Sequence, residues 1–386
     1  MFKKVTFGIL LGAFVLGIFY PRVSFAQSKL LQDKQEVLKA KVVNVISEKQ
    51  ENIPGTENTG ILQRIRIQLL SGDKKGTVLE MDNDYISLKE GQIFYVVHTI
   101  RADDGTETYV VGDIYRLPWL LFFVGLFLVL VCIFGGIQGI RGILSLIISL
   151  LVISFALLPG VLHGFSPIIL TIGCASAIII LGSYITHGFN KTTTSAVIGM
   201  IVTVIITGFI AWFAVKMTSL SGFSSEESVY LNFDTNGTID FVGLLFGGIM
   251  IGLLGVLYDI AIGQAISVEE LFRAGSLHKK TVYKRAIRIG REHIGALVNT
   301  LAIAYVGASL PLLLLFYSGS YLTFEMIINK EIFATEIIRT LVGSIGLMLA
   351  VPITTIISVF MLEHLKGKAY GEDELRSRTH SHTHSH

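Results

Sequence analysis

The feature that most limits what this chain can fold into is a series of seven apolar runs, at about 118–136, 142–159, 166–186, 194–216, 239–263, 293–317 and 337–362. Crossing the hydrocarbon core of a bilayer takes about 20 helical residues, and these runs are of that order. Hydrocarbon offers no partner to a backbone N–H or C=O, so such runs must close their own hydrogen bonds as helices. The expected fold is therefore a polytopic α-helical membrane protein with about seven spans. Only 16% of the residues are charged, where soluble domains carry about 25%. The formal net charge of +2 gives no electrostatic footprint for nucleic acid.

An eighth apolar stretch opens the chain. Lys3 and Lys4 precede the apolar run Thr6–Tyr20, and small residues Ser24 and Ala26 follow. Residues 1–26 read as a signal sequence or an uncleaved anchor, and either places the next segment outside the cytoplasm. Residues 27–116 form the second unit. Gln27–Leu38 is polar and helix-compatible, a short spacer. From Lys41 the period changes to that of strands: 42–46, 63–69, 76–81, 92–97 and 107–111, separated by turn residues such as Ser71-Gly72-Asp73 and Asp103-Asp104-Gly105. Five short strands predict a small extracytoplasmic β-barrel-like domain, OB-like in size. It has no stripe of aromatic and basic residues, so a cap or docking module fits it better than a ligand-binding barrel.

Lys and Arg set the orientation of the helical region, residues 117–362. With the β domain outside, the loops expected inside hold Arg141, Lys191 and a cluster from Arg273 to Arg291. The tail 363–386 adds Lys366, Lys368, Arg376 and Arg378, and the loops expected outside hold little beyond Lys216 and Lys330. Within 264–292, apolar and basic residues alternate as in an amphipathic helix or helix pair interrupted near Gly275-Ser276, able to lie on the inner leaflet. It is either a gate or docking element, or plain positive-inside anchoring. The tail ends in alternating His380, His382, His384 and His386, a weak metal-binding pattern on a disordered composition. Cys132 and Cys174 both lie in apolar runs, which excludes a disulfide framework and any CxxC site.

Three segments in order, Gly247–Asp259 (GGIMIGLLGVLYD), Gly290–Gly307 (GREHIGALVNTLAIAYVG) and Ile338–Thr354 (IRTLVGSIGLMLAVPIT), resemble the YibE/F family of bacterial multi-pass membrane proteins. Gly135-Gly136 through Arg141-Gly142 fits the same family, and the resemblance runs from about residue 38 to 362. One departure is Glu292, where the family pattern has Asp after the Arg. The resemblance implies the architecture and a bacterial cell membrane, and carries no biochemical role with it.

The fifth run holds the strongest chemical signal. Gly243, Gly247, Gly248, Gly252 and Gly255 give overlapping small-xxx-small spacings that let another helix approach, and Asp259 follows Gly255 by one turn. A carboxylate at membrane depth needs a partner or a wet cavity. The expectation is an inward-facing acid on a central helix: a cation or proton site, or a helix-end carboxylate paired with a basic residue of 273–291. Asn299 and Thr300 in the sixth run are either substrate contacts or glue between helices, with Gly295 and Gly307 suggesting a tightly packed face. Pro311 is expected to break the helix near Ser309. Arg339 either pairs with Glu336, attracts an anion, or reaches Asp240, and Arg141 stands at the entry to its own span. Pro352 frees backbone carbonyls beside Thr354 and Thr355, which suits either a cation or a hydroxyl-satisfied kink.

No P-loop, HExxH or GxSxG motif is present, and His163, His187, His278 and His293 lack metal-ligand spacing. The expectation is no catalytic residue, no metal site and no cofactor. The expected partners are the lipid bilayer, a small solute or ion, and a second copy or another membrane protein. Two functions remain: a permease using Asp259, Asn299, Thr300, Asp240, Arg339, Arg141 and Thr354, or a non-transporting scaffold binding partners through its β domain and basic segment. An intramembrane enzyme is weakest, because no catalytic pair is evident.

Overall fold

The computed structural model describes residues 34–52, 59–318 and 323–367. The expected signal sequence and His-rich tail lie outside the described residues. Two compact units part at Leu130/Val131.

The first unit is built on five antiparallel strands: β1 (Lys34–Asn52), β2 (Thr59–Leu69), β3 (Val78–Asn83), β4 (Ile93–Ile100) and β5 (Glu107–Ile114), in sheet order β3-β2-β1-β4-β5. The long β1 pairs its first half with β4 and its second with β2, and register shifts after Val42 and Val45 bend it between the two. The sheet curls until its edge strands β3 and β5 approach each other without a hydrogen-bonded ladder. The core comes from strict alternation: Leu38, Ala40, Val42, Ile65, Ile67, Leu69, Phe94 and Val96 are buried. Lys34–Leu38 is therefore strand, where the sequence suggested a spacer. The polar run Lys34-Gln35-Glu36 hid the alternation, and the ladder with Val96–Ile100 decides the conformation.

Polar side chains close the sheet. Buried Gln63 donates to the Leu88 carbonyl (3.0 Å) and accepts from the Leu88 and Asn83 N–H groups (2.8 and 2.9 Å), pinning loop 84–88. At the other edge Glu107 accepts from Lys74 (2.7 Å) and Tyr109 (3.1 Å) and meets His98 Nε2 at 3.2 Å. His98 is stacked on Tyr109, with centroids 4.4 Å apart. The Lys74 hydrogen bond holds the Glu107 carboxyl below its usual range, and that same bond raises Lys74. A depressed carboxyl contributes stability above its unfolded pKa and loses it as pH falls through the folded value. Protection of the β4–β5 amides, corrected for intrinsic exchange, should fall below about pH 4. In Glu107→Gln that acid-dependent part should vanish.

The second unit is helical. Helix α1 (Leu117–Val152) crosses the unit boundary and passes through a π-turn, Ile153–Leu157, into α2 (Leu158–Leu162). Gly136 has φ 51° and ψ −139°, a backbone open only to glycine. A Cβ on Gly139 would strike the Val131 carbonyl oxygen. Eight residues of straight helix separate such atoms by about 12 Å, so the chain bends sharply at Gly136. The π-turn just precedes Pro159, whose ring clashes with the carbonyl four residues back; a Leu158 N–H bond to Ile153 O widens the helix there.

Then follow α3 (Pro167–His187), α4 (Lys191–Met217), the short α5 (Glu226–Asp234), α6 (Phe241–Arg273), α7 (Lys279–Ala308), α8 (Leu310–Ser318), α9 (Phe324–Ile328) and α10 (Glu331–Leu362). Among the described residues, five helices are long and apolar enough to cross a membrane, six when α7 and α8 count as one span bent by 71°. That bend falls at Ser309, as Pro311 predicts. The core lies where α3, α4, α6 and α10 meet, around Met200, Phe246, Ile249, Met250, Leu253 and Leu347. Segment 264–292 does break near Gly275, but its halves are the ends of α6 and α7. They pack with α10 around Val268, Phe272, Val282 and Val359, so the segment is part of the bundle.

Candidate functional site

Helix α6 decides where the chemistry sits. Its core side presents Leu253, Leu257, Ile260 and Ala261, all buried. At 100° per residue the other side collects Gly248, Gly252, Gly255, Asp259 and Gly263, all exposed. Asp259 therefore does not face inward, as the sequence suggested; the branched residues beside it take the core positions. It makes no hydrogen bond or ion pair among the described residues, so the expected basic partner from 273–291 is not there either. The neighbouring Tyr258 points toward α3, its hydroxyl 3.3 Å from the Gly182 carbonyl.

The glycines divide accordingly. A Cβ on Gly243 would stand 3.1 Å from Pro167, one on Gly247 2.8 Å from Thr171 Oγ1, and one on Gly252 2.6 Å from Tyr305 Oη. These three permit close packing. Gly248, Gly255 and Gly295 have nothing within 4 Å. Around Gly248 and Gly255 the room lies on the face that carries Asp259, a face that Tyr305 of α7 reaches only at Gly252 among these glycines. The sequence missed the tightest crossings: Gly199 against Thr354, Gly346 against Thr207 at 2.7 Å, and Gly290 against Gln264 and Val351.

Asp259 lies ten residues before Glu269, about 15 Å along the helix axis. Glu269 marks the polar end of the bundle, where Thr192 donates to it (2.8 Å), Arg273 pairs with it (2.9 Å) and Lys279 pairs with Glu363 (2.7 Å). Asp240 caps the other end of α6, about 28 Å from Asp259, so Asp259 lies within the apolar stretch but nearer the Glu269 end.

The other expected site residues are spread apart. Asp240 is the N-cap of α6, accepting from Gly243 N–H at 3.0 Å, and makes no contact with Arg339. Arg339 pairs with Glu336 at 2.7 Å, the simplest of the three readings. Arg141 is exposed beside the C-terminal end of α3, close enough to His187 for their charges to interact, while Gln138 donates to Thr186 O at 3.3 Å. Thr300 donates to Ala296 O within its own helix. Asn299 is exposed and makes no hydrogen bond among the described residues.

Helix α10 runs unbroken through Pro352, and of the two readings the hydroxyl-satisfied one holds. Thr355 Oγ1 donates to Val351 O at 2.6 Å, and Thr354 is buried against Gly199. Neither presents a carbonyl to a cavity. The polar centre there is Gln264, buried, whose amide donates to Ala286 O (2.7 Å) and Thr355 Oγ1 (2.8 Å) and so ties α6 to α7 and α10. Ser195 and Ser358 continue it at 2.9 Å. Gln264→Leu should cost about 1 kcal/mol, the usual scale of such interhelical bonds, read as a lower midpoint in a detergent-denaturation series. Gln264 and Glu269 were legible only as polar residues at core spacing among Ile260, Ala261, Ala265 and Val268.

A family model described as YibE/F-like protein matches residues 123–364. The chain belongs to the YibE/F-like family. The match covers the helical region from within α1 to the end of α10, and so includes the open face of α6, the Gln264 network and the α7–α8 bend. Comparison with curated proteins and with solved structures gave no match. Membership, like the run of apolar helices, makes this YibE/F-like chain a membrane protein.

Proposed function

We propose that this YibE/F-like protein is a permease that moves a small cation, or a solute with protons, along the open face of α6. The observation that carries the reading is Asp259: a carboxylate within the apolar stretch of α6, without a partner among the described residues, on a helix face where Gly248, Gly255 and Gly263 have nothing within 4 Å. A charge left there against lipid is costly, so such residues mark ion or proton pathways. No catalysis is assigned to the chain.

Seven crossings complete the proposed layout. The bend at Gly136 divides α1 into two passes, and the hydrogen bond from Gln138 to Thr186 sets that bend beside the end of α3. Arg141, Lys191, Arg273, Lys279 and Glu363 then share one end, which the positive-inside rule makes cytoplasmic. The β domain lies outside the cell membrane and the C-terminus inside. Purified protein in liposomes, screened for flux of protons, monovalent and divalent cations and small metabolites, tests the reading. Flux of one class above empty liposomes supports it. Silence across the panel moves the weight to a scaffold.

A further inference from the structure

Helix α7 carries a second unpaired polar face, distinct from that of α6. Gly290 packs against Gln264 and Val351. Asn299, nine residues on, is half a turn round the helix and points away from the bundle. Along that outward side lie Arg288, Glu292, Gly295, Asn299, Ala302 and Val306, spaced 4-3-4-3-4, all exposed except half-buried Ala302. That is the seam of a heptad repeat.

Gly290 abuts Gln264, about 7.5 Å along α6 from Glu269 at the polar end. Glu292 therefore lies toward that end, and Asn299 about 13 Å further along α7 than Gly290, where lipid satisfies no amide. Arg288 and Glu292 are one turn apart, yet among the described residues they make no ion pair and Asn299 has no partner. Gly295 has nothing within 4 Å.

We propose that a second copy of this chain covers the outward face of α7, in a parallel two-fold pair along this seam. The complementarity is internal to one face, as an isologous interface requires. Arg288 reaches the partner's Glu292 one turn on. Asn299 both donates and accepts, so it pairs with its own symmetry mate, and an amide at such a position fixes register in parallel helix pairs. Gly295 lets the backbones approach between these layers. The proposal stands whether or not the α6 face conducts a solute.

Cross-linking in native membranes tests it. Cys132, exposed, and Cys174, buried, are first replaced by Ser and Ala. Ala302→Cys and Val306→Cys are then oxidised beside Ile205→Cys, which is exposed on α4. The expected result is a disulfide-linked dimer from positions 302 and 306 and little from 205. Arg288→Glu and Glu292→Arg should each lower the dimer yield and the two together restore it, and Asn299→Leu should weaken association about tenfold. Monodisperse elution of each variant shows that it folds. Equal cross-linking at all three positions, or free labelling of 302 and 306 by a membrane-impermeant maleimide without dimer, overturns the proposal. In that case water, rather than a second copy, covers the face.

Discussion

Gly199→Leu should remove most of the folded protein from the membrane. Helices α4 and α10 cross at backbone distance here: a Cβ on Gly199 would stand 2.5 Å from Thr354 Oγ1 and 3.0 Å from the Thr354 Cα. The side-chain oxygen can turn away; the Cα cannot, because α10 is also held at Ser358 and Gly346. Close-packed interiors do not absorb such volume, and the expected cost is on the order of 3 kcal/mol. Gly199→Ala should already destabilise, and adding Thr354→Ala should recover only part, since it leaves the α10 backbone in place. Gly248→Ala is the control: nothing lies within 4 Å of it, so its stability should stay within about 0.5 kcal/mol of the parent. Thermal unfolding followed by fluorescence-detected size exclusion separates these outcomes. Equal melting of Gly199→Leu and Gly248→Ala would contradict the packing described here.

The second large effect belongs to Glu269. Its side chain is 4% exposed and pairs with Arg273, 8% exposed, while Thr192 donates to its other oxygen at 2.8 Å. Removing one partner of a buried pair leaves an uncompensated charge, which costs about 3–5 kcal/mol. Glu269→Leu should therefore melt far below the parent. The double variant Glu269→Gln with Arg273→Met removes both charges and should recover much of the loss. If instead each single variant and the double melt alike, the pair contributes nothing and the helix ends are held by apolar packing around Val268 and Phe272 alone.

Much of this architecture is written in local pattern. The alternation of Arg64, Ile65, Arg66 and Ile67 sets β2, the apolar runs set the long helices, and Pro311 places the α7–α8 bend. The side that each helix turns to the core is harder to read. Helix α6 has small residues all round, so Gly247 and Gly248 look equivalent until α3 covers one and leaves the other open. For the same reason Asp259 reads as inward. Asp240 and Arg339 look like pathway charges in the sequence, yet a cap bond and an i, i+3 pair satisfy them locally. Gln264 and Glu269 escaped notice because their stretch also fits an amphipathic surface helix, and only contact with α4, α7 and α10 shows it buried.

The central claim is that Asp259 serves passage and not packing. Flux of the transported class through liposomes, compared between the parent and Asp259→Asn at matched amounts of monodisperse protein, tests it most directly. The account predicts that flux is lost while the melting temperature barely moves, because the carboxylate is exposed and has no partner among the described residues. Flux that persists unchanged in Asp259→Asn would contradict it.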